Sequence, residues 1–135
     1  MKIVVCDDDE KFLKEFKTVL QERLTSLKIE AELTMYSTGK KLVEVCEQEE
    51  IDVLFLDIDM PNNGLEIARK IKQFNDDIIV IFVSFREDLI FEALQTFPYY
   101  FLRKKYLKEE LPIVINKIKK MLVNNQIDIY YKGKE

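Results

Sequence analysis

Apolar residues along this chain fall into two rhythms that alternate five times. Ile3-Val4-Val5-Cys6 is a short apolar run stopped by Asp7-Asp8-Asp9, and it reads as a buried parallel strand. From Glu10 the period changes. Phe12, Leu13, Phe16, Val19, Leu20 and Leu24 recur at helical spacing. The aspartates before this helix supply an N-cap and favourable charge at its positive end. Ala31–Tyr36 alternates as a strand, and Ser37 is expected to cap a second helix carrying Leu42, Val43 and Cys46. Val53–Leu56 is a third strand, stopped by Asp57. The loop Asp57–Gly64 leads into a helix bearing Leu65, Ile67, Ala68 and Ile71. Ile78–Val83 is a fourth strand ending at Ser84, followed by a helix over Glu87–Thr96. Tyr99–Arg103 is a fifth strand ending at Lys104. The last helix spans Leu107–Val123, with Pro112 near its first turn, where a missing N–H costs least.

Strand and helix repeated five times imply an α/β domain, a parallel sheet with helices on both faces. Right-handed crossovers leave few topologies. Glycine and proline number three each, so loops are few and tight. There is no internal repeat. Asn124-Asn125-Gln126 reads as a linker, and Ile127–Glu135 as a strand running into a turn with no return partner. The expected division is therefore a domain over 1–123 and, over 124–135, a linker and the first strand of a second domain.

Composition narrows the chemistry. The chain of 135 residues is 47% hydrophobic and 34% charged, enough for one soluble domain with a real core. A net charge of -4 argues against a surface built to coat nucleic acid or anionic membrane. There is no His, which removes His acid–base catalysis, Ser-His and Cys-His nucleophiles and most zinc sites. Cys6 and Cys46 have neither metal spacing nor a disulfide framework, so a reducing cytoplasm is expected. The longest apolar run, Ile78–Val83, is too short to span a bilayer, and the acids after Met1–Val5 do not read as a signal peptide.

In an open parallel sheet, ligands bind beyond the carboxyl ends of the strands. The first strand ends at Asp7 and Asp8, the third at Asp57 with Asp59 two residues on, the fourth at Ser84 and the fifth at Lys104. Taken singly, these are a helix start, a turn former, a helix cap and one member of a solvated basic run, Arg103-Lys104-Lys105. Taken together, they bring carboxylates, a hydroxyl and an ammonium to one sheet edge. Clustered carboxylates repel, so one is protonated or a cation neutralises them. An oxygen-only donor set favours Mg²⁺. A carboxylate nucleophile, a hard cation, a Lys and a hydroxyl make a phosphoryl-transfer constellation.

Four segments carry a resemblance: Val4-Val5-Cys6-Asp7-Asp8-Asp9; Leu56-Asp57-Ile58-Asp59-Met60-Pro61 with Gly64-Leu65-Glu66; Phe82-Val83-Ser84; and Phe101-Leu102-Arg103-Lys104. Over 1–123 the sequence resembles the receiver domain of a bacterial two-component response regulator. Phe97–Lys104, with Lys105 next instead of proline, is similar to the subgroup whose receivers precede a LytTR DNA-binding domain. The tail Ile127–Glu135 resembles the opening strand of such a domain, its remainder absent here.

The resemblance implies a flavodoxin-like (CheY-like) doubly wound sheet of five parallel strands in the order 2-1-3-4-5. It implies Asp57 as phosphoacceptor. Asp8, Asp57 and the Asp59 backbone carbonyl would hold Mg²⁺ (or Mn²⁺), with Asp7 acting through water. Ser84 and Lys104 would contact the phosphoryl group, and Phe101 would be the aromatic switch that follows Ser84. A partner histidine kinase would supply the phosphoryl group, and DNA would be met only through the missing C-terminal domain. The face carrying Phe91, Leu94, Phe101, Tyr106 and Leu107 would be the output surface of a phosphorylation-promoted homodimer.

Two departures stand out. Only Asn62 and Asn63 separate Pro61 from Gly64, one residue fewer than the usual pattern. Phe85 follows Ser84 where many receivers carry a small residue; it either packs a helix or narrows access to the site. Two other readings remain: a haloacid-dehalogenase-type phosphohydrolase using Asp57 and Asp59, or a degenerate receiver that acts only through contacts.

Overall fold

The computed structural model describes residues 1–132, with side chains placed over 1–122. Its strands are β1 (Lys2–Cys6), β2 (Glu32–Tyr36), β3 (Val53–Asp57), β4 (Ile79–Ser84) and β5 (Tyr100–Arg103). Its helices are α1 (Glu10–Ser26), α2 (Leu42–Gln48), α3 (Gly64–Phe74), α4 (Ile90–Leu94) and α5 (Leu107–Lys132). All pairings are parallel and the order is β2-β1-β3-β4-β5, as expected.

The apolar strands divide their side chains between two layers, as period-2 geometry demands. Ile3, Val5, Val53, Phe55, Ile81, Val83 and Leu102 face α1 and α5. Val4, Cys6, Leu54, Leu56, Val80 and Phe82 face α2, α3 and α4. In the first layer Phe16 is fully buried and meets the Phe55 ring edge-on at 5.0 Å. In the second, Cys6 Sγ sits 3.7 Å from Met60 Sδ.

Asp9 caps α1 as expected, its carboxylate accepting from Phe12 N–H at 3.1 Å. Other local expectations are corrected. Ser37 does not cap α2, which begins five residues later at Leu42; the intervening turn uses Thr38, whose hydroxyl accepts from Lys40 N–H at 3.3 Å. The helix expected over Glu87–Thr96 is a 3₁₀ turn, Glu87–Leu89, followed by the short α4, in which only Ala93 is buried. Phe91 and Leu94, expected on an output surface, are exposed. Pro112 is the sixth residue of α5, one turn deeper than expected, so the carbonyl four residues back, on exposed Lys108, has no intrahelical donor.

Among the described residues 124–132, the expected linker and strand are not seen. The backbone continues as helix to Lys132, and 133–135 lie outside the described residues. A helix satisfies its backbone groups within the segment itself. Among the described residues no helix is long and apolar enough to cross a membrane.

Phe16→Ala removes a fully buried ring from the centre of the α1 layer. We expect it to cost about 3–5 kcal/mol in urea unfolding. A loss under about 1 kcal/mol would mean that this layer is not the tightly packed one described.

Candidate functional site

β1 and β3 are neighbours in the sheet, so their carboxyl ends deliver Asp7 and Asp57 side by side, both buried. Exposed Asp8 joins them. One carboxylate oxygen from each of Asp7, Asp8 and Asp57 lies within 4.8 Å of the others. The chain then crosses to the far edge of the sheet and returns a cation. Lys104 leaves β5 with its side chain almost fully buried, its Nζ 2.6 Å from Asp7 Oδ2 and 3.6 Å from Asp57 Oδ2. The basic run is thus not a solvated face. Arg103 turns to Glu110 (2.8 Å) and Glu87 (3.3 Å), Lys105 is exposed, and Lys104 goes inward.

Each carboxylate is held by its own turn. Asp7 Oδ1 accepts from Asp9 N–H at 2.9 Å, and Asp57 Oδ1 from Asp59 N–H at 3.1 Å. Asp7 Oδ2 is buried and makes no hydrogen bond; its one described partner is the nearby ammonium charge. Burial pushes the Asp57 acid up to about 6, against the pull of Lys104, and the charges of Asp7 and Asp8 add to the rise. A hard divalent cation fits this donor set: three carboxylates converge, and one ammonium cannot neutralise them all. Asp8 and Asp57 are the side chains that would hold it, with Asp7, paired to Lys104, beside them.

Ser84 ends β4 one residue past Val83, the register partner of Asp57. Its buried hydroxyl accepts from Arg86 N–H at 2.8 Å. Phe101 is half-buried, paired in register with Phe82 and packed against the second core layer. The Asp59 carboxylate is not part of the cluster; it is exposed and pairs with Arg86 at 3.7 Å. A mechanism needing Asp59 as a second acid at Asp57 therefore finds its carboxyl group elsewhere. Both thiols are buried and pushed up, Cys6 to about 12 and Cys46 to about 11, so neither is a nucleophile at neutral pH.

The sequence reading missed Phe12 and Arg86 at the site, and left the place of Phe85 open. The Phe12 ring lies 4.4 Å from Lys104 Nζ and the Phe85 ring 5.5 Å from it, so two aromatic faces flank the ammonium. Phe85 is 65% exposed, which favours a place on the rim of the site over helix packing. Arg86 joins the loop after β4 to Asp59 and, at 2.8 Å, to Asp88. Phe12 was legible only as a core position of an amphipathic helix. Its place in the first turn after Asp7-Asp8-Asp9 was the available signal.

A raised acid favours the native state where that acid is protonated and loses this contribution as pH rises through the folded value. In chelator, the wild-type protein should therefore lose stability between about pH 4 and about pH 6 relative to Asp57→Asn. The melting temperatures should separate on the order of 5 °C across that window, and excess Mg²⁺ should close the gap. Parallel profiles in chelator would show that Asp57 carries no such penalty.

The model of the response regulator receiver domain matches residues 3–116. The sensory transduction protein LytT of Oceanobacillus iheyensis is 35% identical over 92 residues, covering 66% of this chain and 37% of that protein. The curated relatives are matched over 37% to 49% of their own lengths, so the chain spans less than half of each. A solved receiver domain protein from Clostridium thermocellum is 28% identical, with a TM-score of 0.73, covering 90% of this chain and 98% of that one. The Thermotoga maritima response regulator TrrA, solved in complex with Mg²⁺-BeF, is 23% identical with a TM-score of 0.74, covering 86% and 96%.

Proposed function

The chain belongs to the response regulator receiver family, and from that premise we propose that Asp57 accepts a phosphoryl group from a partner histidine kinase. The observation that carries the assignment to Asp57 is its place. It is a buried carboxylate at the end of the central strand, against Asp7, Asp8 and the one buried ammonium among the described residues. A carboxylate oxygen of Asp57 attacks phosphorus as the P–N bond of the donor breaks. The nitrogen leaves with the electron pair and takes up a proton, and a mixed anhydride remains on Asp57. Bound Mg²⁺ would supply charge compensation for the phosphoryl oxygens, held by Asp8, Asp57 and the Asp59 carbonyl, with Asp7 reached through water. The TrrA complex with Mg²⁺-BeF is a precedent in a neighbour of the same fold.

Lys104 stands 3.6 Å from Asp57 Oδ2 and turns to the incoming phosphoryl group. The Ser84 hydroxyl exchanges its bond with Arg86 N–H for a phosphoryl oxygen, and Phe101 follows it inward. Phe85 at the rim narrows access for donor and for hydrolytic water.

A new dianion shifts a two-state element only through contacts that differ between the states. Here those contacts lie at the ends of β4 and β5. The neighbouring edge exposes Phe91 (84%), Phe97 (83%), Leu94, Tyr99 and Tyr100. The expected surface thus changes in membership: Leu107 is buried, and Phe101 and Tyr106 are partly covered. This edge is the proposed output face, closing a symmetric dimer on phosphorylation. In a longer parent protein such a dimer would pair two DNA-binding domains to control transcription, in the cytoplasm.

With Mg²⁺ and a small phosphodonor, wild type should take up acid-labile phosphate and Asp57→Asn none. Asp8→Ala should lose the Mg²⁺-dependent rise in melting temperature. Acid-labile phosphate on Asp57→Asn would move the acceptor elsewhere.

Sedimentation at high micromolar concentration should show monomer alone and dimer with beryllofluoride and Mg²⁺. Monomer under both conditions would remove the dimer and leave the acceptor assignment standing.

A further inference from the structure

Helix α3 starts against the acceptor strand. A Cβ built on Gly64, its first residue, would stand 2.2 Å from the Asp57 carbonyl oxygen, 2.9 Å from Ile58 Cα and 3.0 Å from the Asp57 carbonyl carbon. These are backbone atoms at the end of a strand paired on both sides, so they do not yield as the end of a side chain would. No glycine in the described chain has positive φ, so Gly64 is required by close approach and not by handedness.

The approach is drawn tight from both ends. Gly64 N–H donates to the Ile58 carbonyl at 3.3 Å. The Asn63 side chain caps the helix, accepting from Leu65 N–H at 3.0 Å and Glu66 N–H at 3.4 Å. Only Asn62 and Asn63 separate Pro61 from Gly64, so the loop has little slack. Asp57 is bound into the same turn through Asp59 N–H.

We infer that Gly64 is a positioning residue for the acceptor: with the short loop, it lets α3 close on the Asp57 carbonyl and so fixes the Asp57–Asp59 turn. This rests on the acceptor role proposed for Asp57. A methyl group at Gly64 would push that turn aside by the distance between 2.2 Å and the 3.4 Å of ordinary contact. Displacements of this size in a reacting group cost on the order of a hundredfold in rate. Gly39 offers a contrast. Its Cβ would meet first the flexible Ile67 Cδ1 at 2.7 Å and then Asn62 Cβ at 3.2 Å, without touching Asp57.

The test is a cycle of four proteins: wild type, Gly64→Ala, wild type with one Asn inserted between Asn62 and Asn63, and Gly64→Ala in that lengthened loop. Gly39→Ala is the control. Three quantities are read at a temperature where melts in chelator show each protein folded: the Mg²⁺ dissociation constant by calorimetry, the beryllofluoride response, and the initial rate of phosphate uptake from acetyl phosphate. Gly64→Ala should weaken Mg²⁺ binding about tenfold or more and slow uptake on the order of a hundredfold. Gly39→Ala should stay within about threefold of wild type, and in the lengthened loop the Gly64→Ala effect should shrink to about threefold. If Gly64→Ala fails to fold, the two lengthened proteins still decide the matter through their difference. Folded Gly64→Ala with wild-type affinity and rate, or an Ala effect equally large in the lengthened loop, would overturn the inference. A wild-type protein that binds no Mg²⁺ and takes no phosphate would instead refute the acceptor role.

Discussion

Asp7, Asp57 and the Lys104 side chain are buried together at the carboxyl edge of the sheet, and Asp8 adds a further negative charge at its margin. One ammonium cannot satisfy three carboxylates. It lies 1 Å nearer Asp7 than Asp57, at 2.6 Å against 3.6 Å, and burial disfavours the ionised form of Asp57. Groups this close and this dry lower the stability of the native state. The site holds because its two buried carboxylates end the adjacent strands β1 and β3, whose apolar side chains anchor both core layers. The strand ends cannot spread to relieve the repulsion. A cation is the remaining remedy, and it is also what the proposed phosphoryl transfer needs.

The parallel sheet was legible because β1, β3 and β4 are unbroken apolar runs ended by a charge or a hydroxyl, while α1 and α3 repeat at helical spacing. Such signals depend on burial, and they failed where burial is slight. A helix was expected over Glu87–Thr96, yet α4 is only Ile90–Leu94 and buries only Ala93. Ser37 has the chemistry of a cap but sits a full turn before the helix it was expected to start. Lys28 and Phe97 take positive φ, of 56° and 53°, at helix ends where glycine is the usual occupant. Neighbouring bonds hold both in place: Ile29 N–H donates to the Leu24 carbonyl at 2.9 Å, and the Lys72 ammonium donates to the Phe97 carbonyl. Nothing in the local sequence announces either.

The core of the site was readable for one reason: topology sends every strand's carboxyl end to the same edge, so the residue after each apolar run is a candidate. That rule finds Asp7, Asp8, Asp57, Ser84 and Lys104. It does not find groups that reach the edge from elsewhere. Phe12 approaches Lys104 from α1, Phe85 from a loop, and Arg86 reaches Asp59 across the space between two loops. Nor does it give distance. A glycine in a loop reads as a turn until the atoms that its Cβ would strike are known.

Differences in local stability set which part of such a domain can answer a change at Ser84. β1 and β3 are locked by pairing on both sides and by two core layers. Past β4, the 3₁₀ turn Glu87–Leu89 has no buried residue, and α4 has one. Besides Ala93 and the packing of Leu89, this stretch is held by charge at the surface: Arg86 to Asp59 and Asp88, and Arg103 to Glu87. Exposed pairs of this kind contribute little, about 0–1 kcal/mol each, so the stretch opens at lower cost than the sheet. The Ser84 hydroxyl is bonded to the backbone at its start, through Arg86 N–H. In the proposed switch, drawing that hydroxyl toward Asp57 would strain this bond, at the start of a segment with few buried residues. On the proposed reading the displacement would run into α4 and the aromatic edge beside it, while the strands that hold the carboxylates stay fixed.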